Sequence, residues 1–460
     1  MLGLGETGLS MAKWLTRKGA RVAVADTRAA PPNADSLRAA CPGATLVTGA
    51  FSSHAFAGID LVAISPGVPL SESEVRSARK RGVPVIGDIE LFAQALVPRN
   101  GARLVGVTGT NGKTTVTAMA GAMCRNAGLR TRVAGNIGPA VLDALMDAED
   151  RGEQPEVWVL ELSSFQLETT ESLDLDAAAM LNLTEDHFDR YTGMVEYAKA
   201  KARIFQGRGT QVLNRDDAAS MAMRLPGRKL VSFGLEAPDA AADWGVKREI
   251  GAECGLERGA EWLIEGNVRA TQASDLKLAG RHNLANALAA LALARSIGLP
   301  LAPLAAALAA FEGLPHRMQL VATLDGVAFF EDSKATNVGA TAAALTGLGM
   351  RAVLIAGGEG KGQDFARLAP AVAGHARAVV LIGRDAHLIE GPLAATGVPL
   401  VRARTMSEAV DAAFAAARPG DAVMLSPACA SFDMFRNYVH RAEVFVAAVN
   451  DLRRRLGDAR

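Results

Sequence analysis

The stretch Val107-Thr108-Gly109-Thr110-Asn111-Gly112-Lys113-Thr114-Thr115 constrains this chain most. It follows the apolar run Leu104-Val105-Gly106-Val107 and precedes helix-compatible residues from Val116 to Cys124. A strand, a glycine-rich turn and a helix in that order form a cradle for phosphate. Backbone N–H groups point into the turn, and the helix N-terminus adds positive potential. Lys113 has the reach for β- and γ-phosphates, and the Thr114 hydroxyl suits Mg²⁺. The strict G-x-x-x-x-G-K-[ST] pattern asks for glycine where Val107 stands; here the glycines are Gly106 and Gly109. The reading is a site for ATP.

At 460 residues the chain exceeds one core, and about 150 residues per domain suggests three. The pattern divides at 1–98, 99–313 and 314–460. In the first block, strands Val22-Ala25, Leu61-Ile64 and Val85-Ile86 alternate with helix-like Leu9-Lys18 and Ser71-Arg81. The second holds the phosphate turn and strands Val157-Leu160, Ala177-Leu181 and Val212-Leu213. The third holds Ala352-Ala356, Ala378-Ile382 and Ala422-Leu425. Strands separated by helix-length segments predict α/β architecture with parallel sheets in every block. The segment Ala237–Ser274 is polar and irregular, consistent with hairpins.

Lys+Arg and Asp+Glu both number 49, which argues against bulk attraction to nucleic acid or membrane. Cys41, Cys124, Cys254 and Cys429 form no C-x-x-C pair and read as reduced, mostly buried thiols. No secretion leader is recognisable, so the expected location is cytoplasmic. The most apolar stretch, Ala287–Phe311, is broken by Arg295, Gly298, Pro300 and Pro303, predicting two short core helices and not a membrane span.

Gly3-Leu4-Gly5-Glu6-Thr7-Gly8 is a G-x-G-x-x-G, with Asp26 following at the end of a plausible strand. An acidic residue there accepts ribose hydroxyls, in a dinucleotide or in a nucleotide-linked substrate. Only Met1 and Leu2 precede Gly3, so the strand that normally feeds this turn is expected to be missing. Glu161 ends the apolar run Val157-Leu160, where a carboxylate can hold Mg²⁺ across from Thr114. Asp186-His187-Phe188-Asp189 concentrates metal-competent groups after another apolar run. From Met194 to Phe205, Met194, Tyr197, Lys201, Ile204 and Phe205 share one helical face, while Glu196, Lys199 and Arg203 take the other. Lys201 therefore points inward, either snorkelling or as a desolvated lysine of lowered pKa.

Together these residues carry a resemblance to the Mur ligase family. The matching motifs are Thr108–Thr115, Gly135-Asn136-Ile137-Gly138, Glu161-Leu162-Ser163-Ser164-Phe165-Gln166-Leu167, Asp186–Tyr191, Gly280-Arg281-His282-Asn283-Leu284-Ala285-Asn286, Leu314-Pro315-His316-Arg317 and Asp332-Ser333-Lys334-Ala335-Thr336-Asn337. The resemblance spans Gly3 to about Tyr438. It implies three domains: a Rossmann-like sheet for a UDP-linked substrate, a central ATPase-like sheet and a C-terminal Rossmann-like sheet. Gly87-Asp88-Ile89-Glu90-Leu91-Phe92 and Ser163–Glu168 point to the branch that adds D-glutamate to UDP-N-acetylmuramoyl-L-alanine, through an acyl phosphate and a tetrahedral intermediate.

The same resemblance implies the sites. Gly109, Thr110, Asn111, Gly112, Lys113, Thr114 and Thr115 hold ATP phosphates, with Asn283, Asn286 and Asp332 on adenine and ribose and Arg317 reaching the γ-phosphate on domain closure. Thr114, Glu161, His187 and a carbamylated Lys201 surround two Mg²⁺ ions, replaceable by Mn²⁺. Thr7, Asp26, Thr27, Arg28, Ser65, Pro66 and Gly67, with Asn136, Ser163, Gln166 and His187, take the UDP-linked substrate. Lys334, Thr336, Lys361, Ser431, Phe432 and Tyr438 take D-glutamate. Partners are these small molecules, the chain is expected to act as a monomer, and the pathway is peptidoglycan synthesis. Read alone, Arg317 also fits a hinge salt bridge, and Asn283 and Asn286 fit helix caps. A folylpolyglutamate synthetase is disfavoured by the first block. A regulator that has lost catalysis is disfavoured by Glu161, His187, Lys201 and Arg317.

Overall fold

The computed structural model describes residues 1–97, 101–249, 260–278 and 280–458. Cys254 and the expected boundary between 98 and 99 lie outside the described residues. Two compact units emerge. One comprises Met1–Leu183, Val195–Ala273 and Asn286–Ala309; the other comprises Thr184–Met194, Ser274–Ala285 and Ala310–Arg460.

The first unit opens with two parallel pairs: β1 (Ala23–Asp26) with β2 (Thr45–Thr48), and β3 (Val62–Ala63) with β4 (Val85–Ile86). Leu2 joins them, forming single parallel bridges to Ala25 and to Ile64. Its N–H donates to the Ala63 carbonyl at 2.8 Å and its carbonyl accepts from Ser65 N–H at 2.9 Å. One bridging residue thus occupies the position of the expected first strand. The glycine turn that follows is intact: Gly3 has φ +81°, a left-handed conformation that suits glycine. Asp26 Oδ2 accepts the Leu4 N–H at 2.6 Å, tying turn to strand end.

The rest of this unit is built on a nine-stranded sheet. Its strands are β5 (Arg103–Thr108), β6 (Thr131–Gly135), β7 (Val157–Glu161), β8 (Ala177–Met180), β9 (Thr210–Asn214), β10 (Leu230–Phe233), β11 (Trp244–Glu249), β12 (Ala260–Glu265) and β13 (Val268–Gln272). They lie in the order β13-β12-β11-β10-β9-β8-β5-β7-β6. All five residues of β7 are buried, as a central parallel strand covered on both faces requires. The chain places β6 and β7 on one side of β5, then β8 to β10 on the other. This reversal leaves a crevice at the carboxyl edge of β5.

The second unit holds β14 (Gln319–Leu324), β15 (Val327–Glu331), β16 (Ala352–Gly357), β17 (Ala376–Ile382), β18 (Leu400–Arg402) and β19 (Ala422–Leu425), in the order β14-β15-β19-β16-β17-β18. Alternate residues feed different cores. Leu354, Val379, Leu381 and Met424 face one apolar cluster, and Val353, Ile355, Val380 and Val423 face the other. This period of two, with helices on both faces, marks a buried parallel sheet.

Parallel pairing does not extend throughout. β11–β12, β12–β13 and β14–β15 are antiparallel. The connection from β14 to β15 is Asp325-Gly326, both with positive φ (47° and 79°). That two-residue turn is too short for a crossover and imposes a hairpin. Residues 281–296 and 301–310 form the two helices expected in the apolar stretch, and among the described residues no helix is long and apolar enough to cross a membrane. Cys41, Cys124 and Cys429 are buried free thiols.

The first glycine turn supplies a test. A Cβ at Gly8 would sit 1.9 Å from the Gly3 carbonyl oxygen, whereas one at Gly43 meets nothing within 4 Å. Gly8→Ala is expected to destabilise the protein by about 2–4 kcal/mol in chemical denaturation, and Gly43→Ala by less than about 0.5 kcal/mol. Equal midpoints for the two variants would contradict this packing.

Candidate functional site

The phosphate turn leaves β5 at Thr108 and enters the helix Lys113–Asn126. Gly109 (φ 151°) and Gly112 (φ 83°) take conformations that a side chain resists. A Cβ at Gly112 would also meet Asn286 Oδ1 at 2.4 Å, so the expected nucleotide residue Asn286 stands against the turn. Asn182, at the end of the neighbouring strand, latches the loop. Its carbonyl accepts Thr110 N–H at 2.9 Å, and its Oδ1 accepts Asn111 N–H at 2.8 Å. Thr108 Oγ1 donates to the Leu162 carbonyl at 2.7 Å, tying the turn to the segment after β7.

Two lysines converge here. Lys113 Nζ donates to the carbonyls of Gly109 and Thr110 at 2.9 and 2.8 Å. Lys201 Nζ donates to the same Gly109 carbonyl at 2.8 Å and lies 4.7 Å from the centre of the Tyr197 ring. Lys201 is 1% exposed, so the inward face predicted for the helix Met194–Ala202 is the observed one, and snorkelling does not occur.

Glu161 ends β7, in register with Val107 of β5 and Gly135 of β6. Its Oε1 accepts from Asn136 Nδ2 at 2.6 Å, while its buried Oε2 has no hydrogen-bond partner among the described residues. An orphaned carboxylate oxygen at 2% exposure is costly unless a cation or donor meets it. With Thr114 buried in the first turn of the adjacent helix, the donor set fits a hard divalent ion. Among the described residues no group of three His, Cys, Asp or Glu side chains forms a metal cluster, so such an ion needs oxygens from other sources.

Asn136 also lines a second feature, a cleft of about 190 Å³. Gly5, Glu6, Thr7, Ser65, Pro66 and Gly67 form one wall; Gly135, Asn136, Gly138, Ala140 and Gln166 form the other. Six of the residues expected to take a nucleotide-linked substrate therefore meet here. Asp26, Thr27, Arg28 and Ser163 do not line it. Both Asp26 oxygens are used internally, by Leu4 N–H and by the Arg28 side chain and N–H. The Arg28 side chain, then those backbone donors, hold the Asp26 carboxyl down at about 2 against its burial. Ser163 caps the short helix Ser164–Leu167 in a capping box with Gln166.

His187, Asn283, Arg317, Asp332 and the expected D-glutamate residues belong to the second unit. His187 has φ 58°, and its N–H donates to Asp186 Oδ1 at 2.9 Å; Lys361 (φ 52°) approaches that oxygen at 3.6 Å. Left-handed backbone at two non-glycine residues is strain of a kind that clusters at functional positions. Asp332 directly follows β15. Its Oδ2 accepts from Ser426 Oγ at 2.9 Å, and burial pushes its carboxyl up to about 7 against that bond and the nearby Arg317 charge. His282 is lowered by burial, then by Arg317. Asn283 and Asn286 lie within the helix Arg281–Ser296, which removes the capping alternative. Lys334 Nζ lies 5.0 Å from the centre of the Tyr438 ring. Ser431 is buried, and Phe432 is exposed.

Several contacting residues had no assigned role in the sequence reading: Asn182, Ser426, and Arg441, which is fully buried and donates to Ser333 Oγ, the Ser333 carbonyl and the Cys429 carbonyl. Asn182 and Ser426 stand just past strand ends, the one positional signal that could have found them. Arg441 sits in the first turn of the helix Tyr438–Asp458 and carries none.

Asp332 yields a pH test. The folded state keeps this proton up to about pH 7, while an unfolded chain loses it near 3.8. Stability thus falls as pH rises from about 4 to 7 and is flat beyond, at a cost of about 4 kcal/mol. Asp332→Asn is expected to melt higher than wild type at pH 8 and equally at pH 4. A difference independent of pH would contradict the buried acid.

Three family models match the chain: "Mur ligase MurD-like, N-terminal domain" over residues 1–87, "Mur ligase middle domain" over 107–294 and "Mur ligase, glutamate ligase domain" over 316–429. The chain is 59% identical to the UDP-N-acetylmuramoylalanine--D-glutamate ligase of Nitrosospira multiformis over 456 residues, covering 98% of this chain and 95% of that one. It is 55% identical to the ligase of the same name from Thiobacillus denitrificans, covering 98% and 96%. Among solved structures it is similar in fold to the UDP-N-acetylmuramate-alanine ligase MurC of Thermotoga maritima (TM-score 0.61, 20% identity, 98% of both chains). MurF of Acinetobacter baumannii is similar too (TM-score 0.59, 19% identity, 77% of this chain and 79% of that one). With its three blocks matched in order and full-length relatives above half identity, the chain belongs to the Mur ligase family.

Proposed function

We infer that the protein is an ATP-dependent amide ligase that adds D-glutamate to UDP-N-acetylmuramoyl-L-alanine in peptidoglycan precursor synthesis, and so serves cell-wall biogenesis, cell shape and division. Relatives at 55 and 59% identity carry that activity in their names. The observation that carries the reading is Asn136. It lines the cleft suited to a nucleotide-linked substrate and also holds Glu161 beside the phosphate turn, so the cleft opens where phosphoryl chemistry is equipped.

The substrate's terminal carboxylate attacks the γ-phosphoryl group of ATP, releasing ADP and leaving an acyl phosphate. The D-glutamate amine adds to that carbonyl, loses a proton, and the tetrahedral intermediate expels phosphate. This chemistry needs positioning and charge neutralisation more than covalent help. Gly109 to Thr115 present backbone N–H groups and the Lys113 ammonium to the phosphates. Thr114 and Glu161 would hold two Mg²⁺ ions, replaceable by Mn²⁺, which would neutralise phosphate charge. Lys201 would join that set as a carbamate, since burial favours the neutral amine that adds CO₂, and His187 is the remaining expected ligand. Asn283, Asn286 and Asp332 serve the nucleoside, and Arg317 serves the phosphoryl charge. Lys334, Thr336, Lys361, Ser431, Phe432 and Tyr438 form the D-glutamate site. Thr7, Ser65, Pro66, Gly67, Asn136, Ser163 and Gln166, with Asp26, Thr27 and Arg28 behind the glycine turn, hold the UDP-linked substrate. The protein acts as a cytoplasmic monomer, where both nucleotides are available.

Two experiments test this. Incubation with ATP, UDP-N-acetylmuramoyl-L-alanine and a panel of amino acids is expected to yield a D-glutamyl product by mass; a product with another amino acid would redirect the assignment. Lys201→Ala is expected to lose at least about 100-fold in kcat, with partial recovery in short carboxylic acids and none in bicarbonate. Wild-type turnover of that variant would remove the carbamate.

A further inference from the structure

The motif Gly87-Asp88-Ile89-Glu90-Leu91-Phe92 has no part in the chemistry above, yet all five of its side chains are buried. It opens the helix Asp88–Ala95. A Cβ at Gly87 would meet Thr169 Oγ1 at 2.3 Å. Glu90 Oε2 accepts the N–H groups of Glu171 and Ser172 at 2.7 and 2.9 Å, and Phe92 meets Trp158 of β7 edge-on, centroids 5.0 Å apart. The helix is therefore bolted to β7 and to the segment 169–172 that follows Gln166.

Asp88 contacts a residue of the cleft. It is 1% exposed, and its Oδ2 accepts from Gln166 Nε2 at 2.9 Å. Gln166 Oε1 is itself occupied, accepting from Ser163 N–H at 3.1 Å and lying 3.2 Å from Ser163 Oγ. A glutamine amide has two N–H donors and one oxygen. With the oxygen taken by Ser163 and one N–H by Asp88, a single N–H remains, on a residue that lines the cleft. An acceptor-only carboxylate behind the amide also forbids the flipped orientation, which would set oxygen against oxygen.

We propose that Asp88 is a positioning residue for the substrate cleft: it fixes the Gln166 amide so that the cleft receives an N–H donor, for an oxygen of the UDP-linked substrate. This rests on that substrate being the cleft's ligand. Asp88 itself touches no substrate. Among the described residues the second oxygen of Asp88 has no hydrogen-bond partner, and Gln166 supplies the side-chain donor to this carboxyl.

The test uses full-length protein, steady-state kinetics and titration calorimetry with UDP-N-acetylmuramoyl-L-alanine. Asp88→Ala is expected to raise KM and Kd for that substrate about tenfold, with kcat and the KM for ATP within about twofold. Asp88→Asn, whose carbonyl still accepts from Gln166, is expected to restore tight binding. Gln166→Glu paired with Asp88→Asn exchanges donor and acceptor. Thermal stability is expected to recover relative to Gln166→Glu alone, while KM stays high because the cleft now meets an acceptor. Recovery of KM in that double variant, or unchanged KM in Asp88→Ala, would overturn the positioning role. Wild-type protein that neither binds nor consumes UDP-N-acetylmuramoyl-L-alanine would overturn the cleft's assignment, and the proposal with it.

Discussion

The carboxyl edge of β5 is the constraint on which the first unit's chemistry depends. Strand order reverses at β5, so the loops after β5, β7 and β8 leave the sheet side by side. The glycine turn, Glu161 and Asn182 reach one region for that reason alone, although they are spread over more than 70 residues. Hydrogen bonds between the loops then remove residual freedom: Thr108 holds Leu162, and Asn182 holds Thr110 and Asn111. A phosphate site needs N–H groups aimed before the ligand arrives, because dipoles that reorganise during reaction stabilise it less.

Charge is managed by burial around that edge. The Gly109 carbonyl collects two lysine side-chain nitrogens, and a buried carboxylate oxygen of Glu161 has no hydrogen-bond partner among the described residues. The unpartnered Glu161 oxygen does not favour the protein by itself, since buried charge without a partner is expensive. A divalent cation brought in with an anionic phosphate offsets that cost. The second unit makes a similar trade at Asp332, whose burial costs stability at neutral pH. Sites of this kind give up folding free energy to gain readiness for a ligand.

Much of this was legible in the residues. The phosphate turn, the inward Lys201 and the strand-end Glu161 follow from local rules about glycine, helical period and sheet edges. The antiparallel β14–β15 hairpin was legible too, in Asp325-Gly326 between two apolar runs, but helix-length spacing elsewhere argued for parallel strands throughout. The bridging role of Leu2 was not legible, because one residue carries no periodicity. Nor was the internal use of Asp26, whose partner Arg28 lies two residues away but whose other partner is a backbone N–H 22 residues earlier.

The amino-acid order alone determined which chemical groups this protein owns and where each stands along a strand, a turn or a helix face. Those are properties of neighbours in the chain. The tertiary structure decided which oxygen and nitrogen atoms remain unused. Gln166 keeps one N–H because Ser163 and Asp88 take the rest of its amide, and Glu161 keeps one oxygen because Asn136 takes the other. Hydrogen-bonding capacity is finite at each atom, and only folding sets which partners, near or remote in the chain, consume it.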